Sequence, residues 1–426
     1  MSAEPLAIEW VRRETHALRT RVMQLRAFAT TVPMIPSAAV APSVLAALEA
    51  HLRDGRRELL RRVRAFLRWL DHEGHEDPAR AQRHFAALRL RFQQLLTRVD
   101  IFSDALVQRA EHDTGVWISG LDAAARDALE IEGHDAPRPP VLCYLDRGHG
   151  AAIRRLRARL PGAVENPVAL IRLPRERMIG SGVAASLAHE VGHQVSATLA
   201  LTASLAPTLR ALAQGAGPRA RAWALWSRWI SEVIADFWAV AKVGVAATQG
   251  LMAMLSLPRP VVLHTTPGDP HPTPWIRAKL SAAIGEALFP DPQWGRLSSM
   301  WEQLLPLDGV DPAQVRLLRA LEDTLPAVAT LLAEHRPAAL RGRSLREVSG
   351  AEDRAPARLR ALATEWALNP QRALSTPPTI ALGTLGQARL DGRMGAAPES
   401  RLLETLLRGW ALRGAWQTAE TCSTRH

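Results

Sequence analysis

The chain has 426 residues, of which 47% are hydrophobic and 22% charged. That composition excludes a disordered or collagen-like chain and leaves enough length for two or three domains. The formal net charge is +11, carried almost wholly by arginine, with Lys242 and Lys279 the only lysines, while the two cysteines, Cys143 and Cys422, do not indicate a disulfide framework.

The N-terminus, Met-Ser-Ala-Glu-Pro-Leu-Ala-Ile-Glu, has no apolar run behind a basic one. A cytoplasmic protein without a signal peptide is therefore expected. Ser43 to Leu70 has an apolar face through Leu59, Val63, Phe66, Leu67 and Leu70, with Arg57, Arg61, Arg64 and Arg68 opposite. Ala79 to Ala110 repeats the helical period through Phe85, Leu88, Leu90, Phe92, Leu95 and Leu96. The two read as an antiparallel pair, joined by the solvated stretch Asp71 to Asp77, where Gly74 breaks the helix. A nucleic-acid partner is not expected, because the arginine stripe lacks interleaved aromatics. A solvated helix face is the simpler reading, and contact of the Arg57–Arg68 helix with an anionic membrane stays open.

Next in the chain are two β-favouring runs, Pro140 to Leu145 and Pro167 to Pro174. Prolines at both ends of the second suit an edge strand, which binds extended peptide by strand addition, although a plain structural strand fits equally. Gly180-Ser181-Gly182 forms a turn, with Ser181 as an N-cap for a helix beginning there.

Val183 to Ala200 is apolar, free of proline, and contains His189-Glu190-Val191-Gly192-His193. On a helix, residues four apart share a face, so both imidazoles reach one metal ion. Glu190 then stands beside the metal's open position, where a general base is needed. Gly192 in a helix interior costs up to about 1 kcal/mol relative to alanine, which a close neighbour would explain. Trp223 to Val240 is a second apolar segment, interrupted by Glu232 and Asp236 on one face. Glu232 supplies a third ligand oxygen, and Asp236 accepts the N–H of a ligand histidine. The alternative is a solvent-facing stripe. Next comes His264 to Arg277, stiffened by Pro272 and Pro274. It presents His271 as a donor to an oxyanion and Arg277 as a partner of Glu232 or Asp236, with an ordinary surface loop as the alternative. His264 and Asp269 are weaker candidates. From about Asp291 the chain is again helical, with proline-rich joints and no recognisable chemistry. No internal repeat is evident. The most apolar stretch, Phe237 to Val262, is broken by Lys242, Gln249, Pro258, Arg259 and Pro260, so no transmembrane segment is expected.

The order of these motifs resembles the gluzincin zinc metallopeptidases, and within them the soluble core of the HtpX-like and CAAX-prenyl-protease-type peptidases. The matching residues are His189, Glu190, His193, Glu232, Asp236, His271, Pro272 and Arg277, within roughly Val141 to Leu288. The resemblance implies Zn²⁺ held by His189, His193 and Glu232, with Glu190 as the catalytic base. The Glu232 to Phe237 stretch also resembles the ImmA/IrrE-type regulatory peptidases. The expected fold is mostly α (α+β): a zincin-like core with a small β-sheet over 135–290, an N-terminal helical domain over 1–134, and a C-terminal helical region over 291–426. The expected activity is zinc-dependent hydrolysis of a protein or peptide substrate, with Glu190 and His271 as catalytic groups. Two alternatives remain: a regulatory protease with a single protein substrate, and a non-catalytic zinc-binding interaction protein.

Overall fold

The computed structural model describes residues 3–134, 138–147, 151–178, 180–215, 217–266 and 268–423. Helices dominate, and a small mixed sheet lies among them. Near the N-terminus, helices Pro42–His72 and Pro78–Val107 pack on one another across a short turn. Asp77 caps the second helix by accepting the Arg80 N–H at 2.8 Å. The turn is exposed apart from Gly74, where a Cβ would run into the Trp69 ring. Leu48, Leu59, Val63, Phe85 and Leu95 fill the interface. Arg57, Arg61, Arg64 and Arg68 face outward, while the apolar face of their helix is buried.

The strands are β1 (Val141–Asp146), β2 (Ala152–Arg154), β3 (Arg159–Leu160), β4 (Val164–Glu165) and β5 (Ala169–Pro174). β3 and β4 form a separate hairpin; the other three lie in the order β1-β5-β2. β1 runs parallel to β5, with Val141 opposite Ala169, and β2 runs antiparallel, with Ile153 opposite Ile171. Alternation places Val141, Cys143, Leu145, Ala169, Ile171 and Leu173 in the main core, and Leu142 and Leu170 against the N-terminal helices.

The run Pro167 to Pro174 is therefore the central strand and not an edge. Pro167 precedes the strand and Pro174 is its last paired residue, beyond the stretch that β2 pairs, so the interior N–H groups remain free to serve both neighbours. The outer edge of β1 is closed by side chains. The Gln108 amide donates to the Leu145 carbonyl at 2.6 Å and accepts the Leu145 N–H at 2.9 Å. Asp122 accepts the Cys143 N–H at 2.7 Å, and Arg109 donates to the Cys143 carbonyl at 2.8 Å. Arg109 and Asp122 are themselves a buried ion pair at 2.9 Å. Among the described residues, the open edge of the sheet is β2.

The main core runs without a break from Ile118 through the segments carrying the motifs to Trp410. Helix His112–Ala128 links them by packing on both β1 and the last helix, Ala396–Ser423. Among the described residues, no single helix is long and apolar enough to cross a membrane.

Candidate metal centre

Helix Ser181–Thr198 carries the His-Glu-x-x-His sequence. Its cap position falls to Gly180, at φ 60°, and not to Ser181, whose side chain lies outside the described residues. A Cβ on Gly180 would stand 2.8 Å from a carboxylate oxygen of Glu399, which is buried and bonded to Arg389. A carboxylate there complements the positive end of the helix.

Gly192 lies where this helix crosses helix Pro218–Val243. A Cβ would meet Ala235 Cα at 2.8 Å and the Ala235 carbonyl oxygen at 2.9 Å. The missing side chain lets the two backbones touch, which brings Glu232 and Asp236 beneath the histidines. His189 Nε2 lies 3.3 Å from one Glu232 oxygen, and His193 Nε2 lies 3.4 Å from the other. The ligand atoms of the three residues all fall within 4.8 Å of one another, close enough to hold one metal ion.

Asp236 fixes His189 from behind. Its Oδ1 lies 2.8 Å from His189 Nδ1, which leaves Nε2 directed at Glu232. Arg277, at the first turn of helix Pro274–Leu288, donates from Nε to Asp236 Oδ2 at 2.7 Å and from a terminal nitrogen to Oδ1 at 2.9 Å. It also lies 3.6 Å from Glu232. Ser231 Oγ lies 3.4 Å from His193 Nδ1.

These contacts set the charge states. Burial disfavours the His189 cation, yet Asp236 outweighs it and raises the pKa to about 9. Burial opposes ionisation of Asp236, but Arg277 and His189 prevail and lower it to about 2. Glu232 is likewise held well below the carboxylate range by both histidines, against its burial. Glu190 is 5% exposed and moves the other way, because burial raises its pKa.

His271 is half exposed, with Nε2 3.5 Å from Glu232. Asp269 accepts the His271 backbone N–H at 2.9 Å and faces Nδ1 at 3.0 Å, so Nε2 is the nitrogen turned to the centre. The Trp229 indole donates to the Asp269 carbonyl at 3.1 Å and ties this loop to the helix bearing Glu232.

One cavity of about 440 Å³ gathers His189, Glu190, His193, Glu232, Asp236, His271 and Arg277. Ala152 and Ile153 of β2 and Ala247, Leu251 and Met254 also line it. All seven residues singled out from the sequence thus meet at one place. His264 is exposed and lies outside the lining. Trp229, Ser231 and β2 went unrecognised in the sequence. Nothing in a tryptophan-rich helix distinguishes Trp229 from Trp226, whose N–H goes to Thr324 at 2.7 Å. No family profile matches the chain, and neither a curated protein nor a solved structure matches it.

Proposed function

We propose that the chain is a metal-dependent peptidase with a zincin-like core, using zinc held by His189, His193 and Glu232. The observation that carries this reading is the convergence of the two Nε2 atoms on Glu232, with buried Glu190 on the wall of the same cavity. Two imidazoles and one carboxylate are the donor types of a catalytic zinc site. The adjoining cavity favours an open, reactive centre over a closed structural one.

Bound zinc would supply Lewis acidity to a scissile carbonyl and acidify a water molecule. Glu190 takes the proton from the attacking water and returns it to the leaving amine. Its raised proton affinity suits both steps. Asp236 and Arg277 hold His189 in the orientation that presents Nε2. His271, steered by Asp269, donates from Nε2 to the oxyanion when both its nitrogens are protonated. β2, the outer strand of the sheet among the described residues and part of the cavity lining, aligns an extended peptide by main-chain hydrogen bonds.

Glu190→Gln tests the assignment. Incubated with a random peptide mixture and read by mass spectrometry, the zinc-loaded wild type is expected to cleave. The variant should retain its metal and lose about 10²–10⁴-fold in rate. A variant that cleaves at the wild-type rate, or that loses its metal, would overturn the role given to Glu190.

A further inference from the structure

A second feature lies away from the metal centre, between the N-terminal helix pair and the β3–β4 hairpin. Arg98, on helix Pro78–Val107, is only 7% exposed. Among the described residues no carboxylate reaches ion-pair distance of it, and its Nε has no hydrogen-bond partner. Beside it the buried His51 Nε2 also has no partner. Burial, with Arg98 alongside, lowers His51 to about 4, so the imidazole is neutral and Arg98 carries the charge.

Gly55 makes room for this arrangement in mid-helix. A Cβ there would lie 2.9 Å from Leu95 Cδ1 and 3.4 Å from a terminal nitrogen of Arg98. A cavity of about 360 Å³ opens over these groups, with Arg62, Arg91 and Gly162 of the hairpin also in its lining. Two carboxylates share the lining, and neither reaches ion-pair distance of Arg98. Glu58 accepts from Arg61 and Arg62. Asp54 lies 3.8 Å from Arg57. A guanidinium keeps its proton, and the terminal nitrogens of Arg98, engaged by no carboxylate among the described residues, open into the cavity where an anion can join them.

We propose that this cavity is a binding site for a small oxyanion-bearing molecule, whose carboxylate or phosphate group sits on the Arg98 fork beside His51 Nε2, with Arg62 and Arg91 at the rim. The paired N–H donors of a guanidinium match either oxyanion bidentately. The volume is larger than a bare phosphate fills, which points to an organic acid or a phosphate ester. The site is independent of the reading given to the metal centre.

Isothermal titration calorimetry on the full chain, with citrate and separately with glycerol 3-phosphate, tests it. Saturable binding of at least one is expected, and which one binds tells carboxylate from phosphate. Arg98→Met should weaken it by about tenfold or more, the loss of one charge-assisted contact. Arg91→Ala, at an exposed rim position, should weaken it severalfold without disturbing the fold. Arg64→Ala, which lines a different groove, should leave it unchanged and so exclude attraction by net charge alone. The proposal is overturned if neither compound binds saturably, if Arg98→Met binds as the wild type does, or if Arg64→Ala loses binding equally. Should Arg98→Met fail to fold, wild-type affinity in Arg91→Ala overturns it instead.

Discussion

Replacing Gly192 with alanine tests how the metal centre is assembled. The new Cβ would stand 2.8 Å from Ala235 Cα, 2.9 Å from its carbonyl oxygen and 3.1 Å from Trp238 Cβ. Carbon atoms rest at about 3.5 Å or more, so the motif helix must withdraw by roughly half an ångström. The obstacle is mostly backbone, which cannot rotate aside. Alanine gains about 1 kcal/mol of helix propensity over glycine. Overpacking a filled core costs about 1–3 kcal/mol, and a backbone obstacle belongs at the upper end. The net expectation is a destabilisation of about 1–2 kcal/mol, read by urea unfolding in metal-free buffer. The same withdrawal carries His189 and His193 away from Glu232, which lies one turn before Ala235. Metal–ligand distances hold to within about 0.2 Å, so affinity measured against a competing chelator should fall by about tenfold or more. An alanine variant that is more stable by the full propensity gain, and binds metal as well as the wild type, would show that the two helices do not meet at Gly192.

Asp236→Asn keeps the shape but removes the charge that orients His189 and faces Arg277. Metal affinity should fall about 10–100-fold and stability by about 3 kcal/mol, and unchanged chelator competition would contradict the role of Asp236. Lys242 is 2% exposed, and burial, with Arg354 nearby, lowers its pKa from 10.5 to about 7. Between those values the unfolded chain holds a proton that the folded chain has released, so the contribution of this group to stability rises with pH, at up to about 1.4 kcal/mol per unit. From about pH 7.5 to 9 the wild type should therefore gain about 2 kcal/mol relative to Lys242→Met, and equal pH slopes in the two proteins would refute this.

Much of the centre was legible because spacing on a helix fixes direction. His189 and His193 are four apart, as are Glu232 and Asp236, and costly polar groups in apolar helices imply a partner. Gly192 signalled a close neighbour, and Ala235 is that neighbour. The sheet was harder to read. Proline at each end of Pro167 to Pro174 suggested an edge, but only a proline inside the pairing residues would have denied a strand two neighbours. β2 has three residues, too few for any alternation to register. The Arg109–Asp122 pair and the Gln108 amide that close the outer edge of β1 come from a turn and a helix. Their role depends on tertiary placement, which no local pattern encodes. The same holds for Glu399 against Gly180, across more than half the chain.

The most direct measurement is the metal content of the purified protein by mass spectrometry, wild type beside Glu232→Ala. Three ligands converging within 4.8 Å predict about one zinc per wild-type chain, largely lost when the Glu232 carboxylate is removed. A wild type that takes up no metal after zinc loading, or a variant that keeps it fully, would contradict a centre built on His189, His193 and Glu232.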